Sequence, residues 1–421
     1  MSYITKFNKL FFYIGIIGAC FLMLSISIST ALTSICYVTI MSAFILSGSW
    51  PEKIKIIKNP IIIIAIAFVL STIFSGLYSN ADFDNILTII GKYSKILVIW
   101  PLIFFLSSNY RYFRFAITAF TIGILANLFA IYVNYFILPQ SHAIVFNNPG
   151  WPSAQNHFIF AYIMIFFSFS CYFLASSKEI NLQYKTILYS MAIIAIFAEI
   201  FLNSARTGYV MEIILIFIIY ILRYRYKGLI FSIIFIPILI YSAYNISPIF
   251  KQRVNAAITN YTSYQKETPV GVTSIGSRLY FNKISFGIIR ENPYKIFFGN
   301  GSGSYPKLAD IYVAENQSKL PKNYRAKSTW NPENQYILIT IENGLIGLIL
   351  FLSIFVIFIA YTKKNLSTKY YLSSITLSIG MLVGCMFSSW LRDSGPSMVF
   401  YALCGLIISK AYIKENTQPY K

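Results

Sequence analysis

The chain has 421 residues, 57% of them apolar and only 11% charged, with a mean hydropathy of +0.64. Ordinary soluble domains are roughly a quarter charged, and one soluble core of this length could not hide so much Ile, Phe and Tyr. A secreted globular enzyme, a disordered chain and a disulfide-stapled scaffold are therefore excluded. Repeated apolar runs of about twenty residues, enough to cross a bilayer, predict an all-α polytopic integral membrane protein.

The twelve predicted spans are roughly 10–29, 31–48, 60–78, 86–107, 112–137, 156–176, 185–203, 207–222, 229–247, 335–361, 370–389 and 396–412. An even number puts both termini on one side. Lys6 and Lys9 precede the first span, and Lys53, Lys55 and Lys58 follow the second. Arg111 and Arg114, Lys178 and Lys185, the group Arg223, Arg225 and Lys227, then Lys363, Lys364 and Lys369, and finally Lys414 and Lys421 fall on that same side. Short basic loops face the cytoplasm, so both termini are expected there. The net charge of +20 would suggest nucleic acid in a soluble chain; here it is accounted for by these loops, and no nucleic-acid partner is expected.

Residues Ile17-Gly18-Ala19-Cys20 resemble a lipoprotein signal, but the apolar run continues past Cys20, so an uncleaved first span is expected. The five cysteines lie in or beside spans, with neither a disulfide framework nor metal spacing. The chain divides into 1–248 with nine spans, a polar segment 249–334 on the outer side, and 335–421 with three spans and a short tail. In the polar segment, Lys and Arg outnumber Asp and Glu more than two to one. A loop this long is usually functional. A helix is predicted around Ser274–Arg290 from the spacing of Leu279, Ile284, Ile288 and Ile289, and Gly299-Asn300-Gly301-Ser302-Gly303-Ser304 reads as a flexible turn.

Ionisable groups inside spans are functional candidates. Lys92 and Lys95 stand in the fourth span, Glu199 in the seventh and Glu212 in the eighth. The lysines can snorkel to an interface, and the glutamates are expected as their buried partners. Arg206 sits at an outer-side break between two spans, where basic residues are disfavoured; its bland alternative is a helix end in water. Arg278, on the loop helix, could be a solvated surface charge. Several cations at this depth suit a lipid-linked diphosphate, since guanidinium forks match phosphate oxygens and cations stabilise a departing diphosphate. No cluster has metal-ligand spacing, so neither metal nor cofactor is expected.

Three blocks carry a resemblance to the O-antigen ligase and polymerase superfamily of bacterial envelope glycan assembly. The first is Asn203-Ser204-Ala205-Arg206-Thr207-Gly208. The second is Ser274-Ile275-Gly276-Ser277-Arg278-Leu279, then Asn292-Pro293 and Gly299 to Gly303. The third is Asn331-Pro332-Glu333-Asn334-Gln335-Tyr336, then Glu342-Asn343-Gly344-Leu345-Ile346-Gly347-Leu348. The resemblance implies an inner-membrane glycosyltransferase with a periplasmic active site. Its donor would be an undecaprenyl-diphosphate-linked glycan, and its acceptor lipid A–core or, for a polymerase, a second lipid-linked repeat unit. A lipid-linked glycan transporter is the more distant alternative, disfavoured by the basic outer loop and the lack of internal repeats.

By the resemblance, Arg206 and Arg278 bind the diphosphate, and Lys95 matches a basic residue of an early span more loosely. The family's base is a His where this chain has Glu333, which could act as the base or, at the start of the tenth span, serve as a helix cap or arginine partner. His157 is a substitute base or a polar anchor. Asn334 and Tyr336 are candidates for orienting the acceptor, while Glu342-Asn343-Gly344 reads as helix packing.

Overall fold

The computed structural model describes residues 2–137, 156–178, 180–265, 274–316 and 331–417; the 138–155 loop and His142 lie outside the described residues. The apolar runs form helices. They are α1 (Ser2–Ser25), α2 (Thr30–Leu46), α3 (Trp50–Ile57), α4 (Pro60–Leu77), α5 (Phe83–Ser94), α6 (Ile99–Ser107), α7 (Tyr110–Phe136), α8 (His157–Ala175), α9 (Leu182–Phe197), α10 (Arg206–Tyr224) and α11 (Tyr226–Ile246). Three more, α12 (Pro248–Gln265), α13 (Ser274–Glu291) and α14 (Tyr305–Glu315), gather at one end of the bundle, before α15 (Gln335–Asn365), α16 (Thr368–Phe387) and α17 (Ser394–Thr417). Asparagines start several of them. The side-chain oxygens of Asn59, Asn109, Asn181 and Asn334 accept from first-turn N–H groups of α4, α7, α9 and α15.

Among the described residues, eleven helical segments are long and apolar enough to cross a membrane, α5 and α6 together forming one of them, and a bent pair, α2 with α3, makes the twelfth candidate. Helix α2 matches the predicted second span, and the chain then turns by 117° into α3, which lies in the segment expected to be a loop. Lys53, expected in a solvated loop, is instead buried on α3, donating to the Phe44 carbonyl beside the rings of Phe44 and Trp50. Helices α8 and α17 are the most enclosed, and α11 is the least. The apolar outer face of α11, including Ile230, Ile233 and Ile238, is compatible with lipid rather than water.

At the loop-bearing end the predicted helix is present as α13. Its Tyr280, Ile284 and Ile288 pack with Tyr305 and Ala309 of α14 and with Leu338 and Ile341 of α15. The Gly-rich stretch is not a loose turn. Asn300 N–H donates to the Ile341 carbonyl (2.8 Å), and Gly301 N–H to that of Glu342 (2.9 Å). These carbonyls become available because α15 is interrupted at Gly344, with φ 69° and ψ −171°. Only glycine takes that conformation without strain, and a Cβ there would collide with the Phe297 carbonyl. Ser302 Oγ closes the clip by donating to the Thr72 carbonyl of α4 (2.9 Å), and Asn343 Nδ2 donates to Ser75 Oγ (2.8 Å).

Beside this clip lies a buried ion pair that the sequence reading did not anticipate. Arg392, in the turn between α16 and α17, pairs with Glu342. Glu342 also accepts from the Tyr305 N–H (3.3 Å), binding the loop elements to the bundle. Burial pulls the Arg392 guanidinium down, but Glu342 and Tyr93 outweigh it and hold its pKa above the ordinary arginine value. Removing one member of such a pair strands the other charge, at a cost of about 3–5 kcal/mol. Arg392→Ala is therefore expected to lower the thermal midpoint in detergent sharply, with Arg392→Met/Glu342→Leu recovering much of the loss. A single variant as stable as the parent would contradict this. Gly344→Ala should also destabilise the protein, by disengaging the clip; unchanged stability would show that the break tolerates a side chain.

Candidate functional site

The site is built where α9 ends and α10 begins. The last turn of α9 widens into a π-turn over Ala198–Leu202, with Asn203 N–H donating to the Ala198 carbonyl (3.0 Å). Such turns often mark functional positions. Asn203 then ties three elements together. Its Nδ2 donates to the His157 carbonyl (2.9 Å) and to Glu199 Oε2 (2.6 Å), its Oδ1 accepts from Ser204 N–H (2.9 Å), and its carbonyl accepts from Tyr209 OH (2.6 Å). Gly208 lets the helices close up, because a Cβ there would collide with Glu199 Oε1. The first residue of α8, His157, is thereby held beside the first residue of α10, Arg206.

The same break recruits the loop helices. Ser247 Oγ donates to the Phe201 carbonyl (3.1 Å), and the Phe250 ring packs on Tyr209 at 4.7 Å between centroids. One turn further along α12 stands Arg253. Helix α13 packs beside α12 and carries Arg278, whose Nε lies 2.9 Å from Glu333 Oε2. The charges of Arg253 and Arg278 both act on Arg206, and all three arginines act on His157. Arg206, Arg278, Glu333 and His157, expected from separate parts of the chain, are thus brought together. Arg253 is the member the sequence reading missed. Arg206 is half-buried, and its Nη1 is buried with no hydrogen-bond partner among the described residues. Both ends of the Arg278–Glu333 pair keep about a third of their side-chain surface open, at 33% and 37%.

Glu333 does not cap α15. That role belongs to Asn334, whose Oδ1 accepts from Tyr336 and Ile337 N–H (3.0 and 3.2 Å). Glu333 precedes it with φ 49°, a left-handed conformation that is uncommon for such a residue and worth about 1–3 kcal/mol of strain. The backbone is held there from both sides. Asn331 Oδ1 accepts from Glu333 N–H (3.0 Å) and pairs with Ser389 Oγ, and Gln335 joins the Tyr93 hydroxyl (3.0 Å) to the Leu391 N–H (3.0 Å). Tyr336 directs its hydroxyl to the Leu382 carbonyl (2.7 Å). The Asn334 oxygen and the Tyr336 hydroxyl are thus engaged in holding the fold.

Lys95 belongs to a neighbouring group. It lies in a short 3-10 turn, Lys95–Val98, between α5 and α6, and donates to Ser394 Oγ (2.6 Å) near Lys92 and Asp393. Burial raises the Asp393 carboxyl pKa, against the Gly395 N–H and the two ammonium groups, which lower it. Gly395 abuts Ile159, two residues into α8 from His157. The intramembrane glutamates are not the lysines' partners. Glu199 bonds Asn203, Glu212 lies within its electrostatic reach, and neither Glu212 oxygen has a hydrogen-bond partner among the described residues.

Chemically, three guanidinium groups from three elements gather around a helix junction, Arg253 and Arg278 within electrostatic reach of Arg206, and Arg278 pairs with a carboxylate. Such an arrangement can hold a polyanion and neutralise charge that develops on it. Comparison with curated proteins finds no match. Residues 188–352 match the family model described as O-Antigen ligase. The matched stretch supplies all three arginines and Glu333, and the match supports a relation to the O-antigen ligase superfamily.

Proposed function

We propose that the protein is an O-antigen ligase-type inverting glycosyltransferase acting at the periplasmic face of the bacterial inner membrane. It moves a glycan from undecaprenyl diphosphate to a hydroxyl of lipid A–core. The observation that carries this reading is the convergence of Arg206, Arg253 and Arg278. A lipid diphosphate has its anionic head where these groups lie and its tail in the hydrocarbon beside them. Lys95 is a further candidate cation for the same headgroup.

In the transfer, an acceptor oxygen attacks the anomeric carbon while the bond from that carbon to the diphosphate oxygen breaks. The acceptor's proton passes to Glu333, and the arginines take up the charge on the departing diphosphate. In the resting protein Glu333 is held by Arg278. Phosphate oxygens arriving at Arg278 compete for that guanidinium and free the carboxylate to accept a proton. His157 stands close enough to the arginines to face the same ligand. The presence of Glu333 in place of the family's His favours one second reading, a repeat-unit polymerase whose acceptor is another lipid-linked unit.

Arg206→Ala and Arg278→Ala should each lower transfer by roughly 10²–10³-fold, as loss of one preorganised charge contact does. The variants should reach the membrane at parental levels, and transfer should persist in EDTA. Near-parental transfer in either would remove the diphosphate role. Glu333→Gln should lose the chemical step while retaining donor binding, and Glu333→His should keep part of the rate; full activity of the Gln variant would leave Glu333 only its pairing role. Deleting the gene separates the two acceptors. Bare core with accumulated lipid-linked polymer marks the ligase, and core carrying a single repeat marks the polymerase.

A further inference from the structure

The connection between α2 and α4 is itself a helix, α3, and its surface divides into three sectors. Leu46 ends α2 and Pro60 begins α4, so both ends of α3 are tied to the ends of apolar helices at the boundary of the bundle. Gly48 and Ser49, with φ 67° and 56°, make the turn into it, and the 117° change of direction sends α3 across the line of α2. Its eight residues extend about 12 Å. The inner sector is firmly held. Lys53 and Ile56 are buried, and the Lys53 ammonium donates to the Phe44 carbonyl in the last turn of α2, where a helix end favours a cation. The rings of Trp50, Phe44 and Phe104 surround it at 4.6, 4.8 and 5.3 Å. Trp100 Nε1 of α6 donates to the Lys53 carbonyl (2.9 Å), and Asn59 Nδ2 donates to the Tyr412 hydroxyl of α17 (3.3 Å).

Two sectors face outward. Trp50 and Ile54, 47% and 53% exposed, lie one turn apart with half-buried Ile57 beyond them, and at helical spacing no charged side chain shares their stripe. The exposed Glu52, Lys55 and Lys58 form the other sector. We infer that α3 is an interfacial helix that docks on the anionic headgroups of the surrounding phospholipid. Its attachment to two membrane helices sets it at headgroup depth. Trp50 and Ile54 continue the exposed apolar surface of Ile45 and Leu46 at the end of α2, and an indole is at home at that level. The two lysines outnumber the single glutamate of the polar sector, and their flexible stems reach phosphate while the apolar stripe lies among the first acyl carbons. Seated in this way, Trp50 closes the Lys53 ammonium off from water.

The test uses the full-length protein in vesicles of phosphatidylcholine and phosphatidylglycerol, with the Trp50 signal taken as the difference between the parent and Trp50→Phe. Phospholipid brominated near the carbonyl end of its acyl chains should quench that signal strongly, bromine at the chain ends weakly, and aqueous iodide least. At equal mole fraction, brominated phosphatidylglycerol should quench more than brominated phosphatidylcholine. Lys55→Gln/Lys58→Gln should lose that preference, and Lys55→Arg/Lys58→Arg should keep it. Stronger quenching from the chain ends, or no quenching by either bromolipid, would overturn the interfacial seating. Equal quenching by the two headgroups in the parent, or a preference that survives the glutamine substitutions, would overturn the anionic partner. Should Trp50→Phe fail to fold, cysteine variants decide without it. A water-soluble maleimide present on both faces of the membrane should label Lys55→Cys above the parental level and leave Ile54→Cys at that level; any other pattern would overturn the division into sectors.

Discussion

Like charges do not assemble spontaneously, and the candidate site holds three guanidinium groups together against their mutual repulsion. The restraint comes from groups that carry no formal charge. Asn203 spends both polar ends of its amide on fastening α8, the π-turn and the start of α10. Ser247 and the Tyr209–Phe250 contact then bring α12 against the same junction. In a hydrocarbon environment broken backbone must be satisfied by the protein itself. The polar groups that satisfy the breaks therefore also fix where the cations stand. Satisfying the backbone and placing the charge are one structural problem here.

The loop-bearing end shows the same economy on the other side of the site. The interruption at Gly344 frees carbonyls inside a long helix, and the Gly-rich stretch supplies the N–H groups that meet them. The buried Arg392–Glu342 pair sits next to this junction and links the turn before α17 to the helix that leads back from Glu333. A buried pair is weak evidence for stability in itself, but it fixes register well when both partners are satisfied. Glu333 is thus positioned by a backbone anchored at Asn331 and Gln335, rather than by its own side chain alone.

The sequence made the span pattern legible because hydropathy and loop charge report directly on the solvent each segment meets. Arg206 was legible for a related reason, as a cation at a break between two spans on the side expected to be the outer one, whereas Arg278 was singled out by the resemblance alone. Arg253 was not, since α12 continues from a membrane helix into a polar loop and its arginine is one of many basic residues there. Arg392 carried a usable signal, an arginine next to Asp393 in a turn on the side expected to be the outer one. Its partner Glu342 lies fifty positions away, and pairing over that distance has no local signature. The same limit explains the lysine–glutamate pairing that did not form. Opposite charges at similar membrane depth are compatible in a hydropathy plot, but only packing decides which helices adjoin. Glu333 and Asn334 show a finer limit, because two adjacent residues each able to cap a helix are separated by the φ of one of them.

A glutamate at position 333, where the resemblance implies a histidine base, changes the electrostatics of the whole cluster. A neutral imidazole leaves three arginines uncompensated, so the site would hold its full positive charge until a ligand arrives. A carboxylate neutralises one of them in the resting state, and the pair with Arg278 lowers the repulsion that Asn203 and its neighbours must resist. Under the proposed function the cost would fall on ligand binding, because a diphosphate would have to displace the carboxylate before using that guanidinium. The same displacement would free the proposed base at the moment a donor is present. Water and other nucleophiles would meet a carboxylate occupied by Arg278 until then. The proposed base would thus be coupled to the donor by competition for one cation, a coupling that a neutral histidine could not provide.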